Sequence, residues 1–144
     1  MSSVQPTISQ KGLKVILSEI IHTVLGSFDI PNSARRIAVN FRQTHVGRQL
    51  QPIEVQLDRE ANTDSWQLRF IATFDVICDQ TKRKDLSLYF NFARCWFYHP
   101  DIHQRPLNCQ QVQSLLRSWV IAFHSHLIEE RFNNISIKVV DHFD

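Results

Sequence analysis

The strongest constraint on this chain is a period of two that recurs along it. Ile37, Val39 and Phe41 alternate with Ala38, Asn40 and Arg42, and Ile53, Val55 and Leu57 alternate with Glu54, Gln56 and Asp58. Successive side chains of a β-strand point to opposite faces, so each run reads as a strand buried on one side. A third run places Trp66, Leu68, Phe70, Ala72, Phe74 and Val76 inward and Gln67, Arg69, Thr73 and Asp75 outward. After the polar turn CDQTKRKD a fourth points Leu86, Leu88, Phe90 and Phe92 inward, and Ile135, Ile137 and Val139 form a last one. The short connections among these strands predict antiparallel pairing.

Two segments carry a helical period instead. Leu13, Ile16, Leu17, Ile20, Ile21 and Val24 line one face of a helix that Thr7 or Ser9 can cap and that ends near Gly26, ahead of the break at Ile30-Pro31. A second helix, with Asn108 as its expected N-cap, carries Val112, Leu115, Leu116, Trp119, Val120, Phe123 and Leu127 on one arc and ends around Asn133-Asn134. Between the fourth strand and this helix the alternation loses phase. A bulge near Asn91 to Arg94, followed by HPDIHQRPLN as a loop, is the expected cause. The fold class expected is α+β, a mainly antiparallel sheet of about five strands in the order α-β-β-β-β-α-β with both helices on one face. No linker or repeat divides the chain, so residues 1–144 are read as one domain whose first six residues are polar and loose.

Composition narrows function mainly by exclusion. Ten Phe and three Trp supply a core without a metal or disulfide staple. Three glycines are too few for the Gly-rich phosphate loops of sequence-readable nucleotide enzymes. Three cysteines without a C-x-x-C pair argue against a zinc ribbon or a fully paired disulfide framework and suit a reducing cytoplasm. A net charge of +2 argues against a dedicated nucleic-acid coat. The N-terminus lacks a secretory pattern and no apolar run approaches the roughly 20 residues of a membrane span. The expectation is a cytoplasmic protein that needs no cofactor and makes no membrane contact.

The runs IAVNFR, PIEVQL, WQLRFIATF, LSLYFNF, LLRSWVIAF and ISIKVV, with N-F-R, P-[IV]-E and F-x-F among them, resemble in order and spacing a small bacterial domain family of unknown function. That family is found mostly in gamma-proteobacteria, often on mobile or genomic-island DNA, and the resemblance spans roughly residues 13 to 140. Between N-F-R and P-[IV]-E the family's loop is acidic and bears Gly and Ser, whereas QTHVGRQLQ here is basic. The resemblance implies a mobile-element setting and brings no catalytic residues with it.

Several constellations remain as candidate sites. His99 and His103 flank Asp101 and are the nearest pair for a metal, with Cys95 or Cys109 as a further ligand, but Pro100 opposes the helix that would align them. Cys95, His99 and Asp101 can also be read as a nucleophile with helpers, which makes a small hydrolase or metal-dependent enzyme centred on residues 95–103 one alternative. Against it, Cys95 reads equally as a small buried hydrophobe. Lys82, Arg83 and Lys84 at a hairpin tip, with Arg35 and Arg36 and aromatics such as Tyr89, Phe97 or Tyr98, make nucleic-acid contact a second alternative. His124 and His126 lie two apart on the second helix and so face different directions, His126 within the apolar arc and expected to have a hydrogen-bonding partner. Finally, Ile121 and Ile128 lie opposite that helix's apolar arc, and Ile71, Ile77 and Tyr89 lie on the nominally outer sheet face. Contiguous exposed apolar surface marks interaction sites. The preferred reading is therefore a non-enzymatic accessory protein acting through a protein partner or self-association, with the loop 43–51 and the segment 95–105 open as ligand sites.

Overall fold

Helix α1 (Gln10–Leu25) is followed by β1 (Ala34–Arg42), β2 (Ile53–Asp58), β3 (Gln67–Cys78), β4 (Arg83–Asn91), β5 (Trp96–His99), β6 (His103–Pro106), helix α2 (Gln110–Ile128) and β7 (Asn134–His142). The computed structural model describes residues 10–44, 50–78 and 83–144; the expected caps Thr7 and Ser9 and the first six residues lie outside them. The strands form one antiparallel sheet in the order β6-β5-β4-β3-β2-β1-β7. Since β6 and β7 are opposite edges, the chain must cross the whole sheet between them. The 19 residues of α2 rise about 28 Å, close to the ~29 Å width of a sheet of seven strands. On the way Trp119 meets Phe90 of β4 (ring centroids 6.3 Å) and Phe123 meets Phe41 of β1 (5.0 Å).

Both helices use their expected faces. Leu13, Leu17, Ile21 and Leu25 of α1 and Val112, Leu116, Val120 and Phe123 of α2 are buried against Ile37, Val39, Val55, Leu57, Ile71, Phe90 and Phe97 of the sheet. α2 is shorter than expected at both ends. Cys109 rather than Asn108 occupies its N-cap, without a side-chain cap bond, and the helix stops at Ile128.

The strand count and one strand's phase depart from expectation. In place of a bulge, Phe92 to Cys95 form a turn, and HPDIHQRPLN contributes to the hairpin of β5 and β6. Two non-glycine residues at the turns, Cys95 (φ 60°) and His103 (φ 65°), adopt the left-handed region, where glycine is the usual marker. Within β3, Phe70 pairs with Gln56 but Leu68 with Leu57, so Arg69 is an extra residue. An extra residue inverts the alternation beyond it. Ile71 and Thr73 therefore face the helices, 0% and 3% exposed, while Phe70 moves to the outer face and Phe74 lies outside the core. The expectation that Ile71 is an outer-face residue is thus corrected by this bulge.

Edge strand β7 is fastened to β1 by charge as well as by its ladder. Arg35 donates to the Asp141 carboxylate from Nε (2.9 Å) and from Nη2. That hydrogen bond is the main cause holding the Asp141 carboxyl below its ordinary range, against the opposing pull of desolvation. A carboxyl with a depressed folded-state pKa stabilises the fold above its unfolded pKa, about 3.9 for Asp, and the contribution is lost as pH falls through the folded value. Asp141→Asn should accordingly lower stability modestly at pH 7, as expected for a partly exposed pair, and change little at low pH where the contribution is already lost, so that the acid limb flattens. Urea midpoints at pH 7 and pH 3 check this; parallel acid losses in both proteins would show the pair contributes nothing.

Candidate functional site

The sheet face away from the helices carries an aromatic row. Phe70, Tyr89 and Trp96, on β3, β4 and β5, stand side by side with centroids 5.2 and 5.0 Å apart. Asn91 donates to the Tyr89 hydroxyl (3.1 Å), and Arg69 bonds Gln56 and lies 3.5 Å from Asp58. Tyr89 is therefore half-buried among neighbours rather than freely exposed. Phe97, grouped with it in sequence, is buried against Phe90.

The basic candidates do not form one patch. Arg35 pairs with Asp141 and Arg36 with Asp58 (3.7 Å), at the end of the sheet where β3 begins. Arg83 and Lys84 begin β4 and pair with the other end of β3, roughly 35 Å away along its extended backbone. Lys82 is outside the described residues, and the side chains of Ile77, Arg83 and Lys84 are outside those described.

The 95–103 constellation is pulled apart by β5. Cys95 precedes this strand and His99 ends it, about 13 Å apart at ordinary strand rise. His99 and His103 face each other across the β5–β6 hairpin, but His99 Nδ1 accepts the Asp101 backbone N–H (3.0 Å). Among the described residues no group of three or more His, Cys, Asp or Glu side chains is placed to hold a metal. Cys95 is exposed, not the buried hydrophobe that was the alternative reading.

The two flanks of α2 are more informative. On one, a groove of about 880 Å³ is walled by Ile16, Ile20 and Val24 of α1, by Leu127 and Ile128 of α2 and by Ile135 of β7. Ile128 is 68% exposed; Ile121, at 63%, lies outside the groove lining. Glu19 and Glu130 supply the groove's carboxylates, neither ion-paired among the described residues, and His124 also lines it. On the other flank a pocket of about 350 Å³ lies between α2 and the sheet, lined by Trp119, Phe123, Phe132, Thr73 and His126. His124 and His126 thus serve opposite sides, as a separation of about 200° around a helix requires. The partner expected for His126 is not found among the described residues, where its buried Nδ1 has none.

Sequence reading found Ile121 and Ile128 from helical spacing but missed the groove, because its walls come from three separated elements. It missed the pocket because the β3 bulge turns Thr73 inward. A further omission was Arg59, 6% exposed at its side chain, which donates to the carbonyls of Ala34, Pro31 and Asn32 and lies 4.3 Å over the Trp66 ring. It organises the turn before β1 and is structural.

No described helix is long and apolar enough to cross a membrane. No curated protein matches the chain in sequence. Solved structures share its fold, among them the following two. One is the hypothetical protein VC0508 from the VSP-II pathogenicity island of Vibrio cholerae, at 19% identity and TM-score 0.69, covering 96% of each chain. The other is the conserved hypothetical protein VC1805 from the Vibrio cholerae pathogenicity island VPI-2, described as sharing structural homology with the human P32 protein, at 19% identity and TM-score 0.64, covering 93% of this chain and 98% of that one. The seven-stranded sheet carrying two helices on one face thus recurs at low identity, and the sequence of residues 13–138 matches one family throughout: the chain belongs to the family described as Protein of unknown function (DUF2787).

Proposed function

We propose that this chain is a non-enzymatic accessory protein of a genomic-island locus, acting in the cytoplasm by binding another protein in the groove between α1 and α2. The groove itself carries the reading: an apolar trough about 880 Å³ in volume, bounded by Ile16, Ile20, Val24, Leu127, Ile128 and Ile135. Its α1 wall runs from Ile16 to Val24, about 12 Å at helical rise, which accommodates two to three turns of a partner helix. The exposed carboxylates Glu19 and Glu130 make the complementary occupant an amphipathic helix whose apolar stripe is flanked by Lys or Arg. The origin of both solved neighbours in pathogenicity islands supports the locus.

The nucleic-acid alternative has less support. Arg35 and Arg36 are ion-paired, and they lie by the start of β3 whereas Arg83 and Lys84 pair with its end. The enzyme alternative has less still, since Cys95 and His99 stand at opposite ends of β5.

Titration with two synthetic amphipathic helices tests the proposal, one flanked by Lys and one by Glu with the same apolar stripe. The Lys-flanked peptide should bind at least tenfold tighter, and Ile128→Glu should remove that binding while Ile121→Glu leaves it intact. Equal binding of both peptides, or of neither, would contradict the groove assignment.

A further inference from the structure

Thr73 is 3% exposed, yet among the described residues its hydroxyl has no hydrogen-bond partner, and His126 Nδ1 is likewise buried without one. Both side chains line the same 350 Å³ pocket on the flank of α2 away from the groove. A buried polar group left unpaired is costly, and native folds pair nearly all of them. Two such groups in one cavity, on different elements, form the polar edge of a site.

The remaining walls identify what fits. Trp119 and Phe123 are stacked at 4.8 Å with planes 18° apart, and Phe132 stands 6.0 Å from Phe123 and edge-on to His126. Among the described residues no Asp, Glu, Lys or Arg lines the cavity, and against these walls a charged ligand would lose its hydration without a counter-charge. The volume is at the small end of the ligand-pocket range of about 300–1,000 Å³. We infer that this pocket binds a small, uncharged, planar aromatic molecule carrying a hydroxyl or ring N–H, with Thr73 and His126 engaging that polar edge. A threonine hydroxyl can donate or accept, and neutral histidine can offer either role at Nδ1, so both phenols and indoles satisfy the pair. The site is independent of the protein-binding groove.

Amide and side-chain NMR of the full chain, titrated separately with phenol, indole, toluene and benzoate, tests the inference. Phenol and indole should shift the signals of Thr73, Trp119 and His126, toluene should bind at least tenfold more weakly, and benzoate should not bind. Thr73→Val removes the hydroxyl while keeping the shape. It should hold or raise the melting temperature, because no intramolecular partner is lost, and should bring phenol affinity down about tenfold to the level of toluene. His126→Ala, at a half-buried position, should weaken phenol similarly with the fold intact. Failure of phenol and indole to bind at millimolar concentration, as expected if water alone bridges the two groups, would overturn the inference. So would unchanged phenol affinity in Thr73→Val, or a drop of several degrees in its melting temperature.

Discussion

Replacing Phe123 with Ala is expected to cost about 3–5 kcal/mol of stability, the usual range for deleting a buried aromatic side chain. Phe123 is 1% exposed and joins α2 to β1 and to the connection before β7: it lies edge-on to Phe41 of β1 at 5.0 Å, stacked on Trp119 at 4.8 Å and 6.0 Å from Phe132. Its removal leaves a cavity that the antiparallel ladder beneath it cannot collapse to fill. Phe70→Ala is the matched control. Phe70 sits on the outer face, beyond the Arg69 bulge, where solvent can occupy the vacated space, so its loss should be about 1 kcal/mol. Urea unfolding of the two variants compares them. Equal losses would mean that the β3 phase assigned to the outer face is wrong.

Arg59→Met is expected to cost about 3 kcal/mol, although no apolar contact of comparable size is lost. Its guanidinium donates to Ala34 O at 2.9 Å, Pro31 O at 3.0 Å and Asn32 O and Thr63 O at 3.3 Å each, and lies 3.5 Å from the Asp64 carboxylate. Methionine keeps the stem but leaves these carbonyls to compete for water beside the start of β1. Arg59→Lys should recover less than half of the loss, because an ammonium cannot present the planar fork that reaches several carbonyls while covering Trp66. Thermal unfolding checks both variants, and full recovery by lysine would show that charge alone holds this turn.

What the sequence made legible follows from how local each signal is. The helical arcs of Leu13, Leu17 and Ile21 and of Val112, Leu116 and Phe123 depend only on spacing along one element, and they are buried as that spacing implies. Strand β2 kept an unbroken period of two for the same reason, and β1 keeps it over Val39, Asn40, Phe41 and Arg42, with small Ala38 buried as well as Ile37. The β3 phase failed because a bulge is a property of a strand pair: nothing in QLRFIATF marks Arg69 as the residue left over opposite β2. Strands β5 and β6 escaped notice because each has four residues and β6 is exposed throughout. Their turns also use Cys95 and His103 at positive φ where glycine would have flagged them.

The sites divide along the same line. Ile128 could be seen as exposed from its position on α2 alone. The groove needed Ile135 to arrive from β7, which α2 delivers to the far edge of the sheet. His126 was legible as a boundary histidine, but that it shares a pocket with Thr73 depends on a strand whose phase the sequence conceals.

The central claim, that this fold acts by holding another protein between α1 and α2, is tested most directly by photo-crosslinking in the native host. A crosslinking residue is placed at position 128 and, as control, at Lys138, which is exposed on β7 outside the groove. The account predicts one discrete adduct from position 128, absent from position 138 and lost when Ile20→Glu is added, with the crosslink mapping to an apolar segment flanked by Lys or Arg. The same adducts from both positions, or none from position 128, would contradict it.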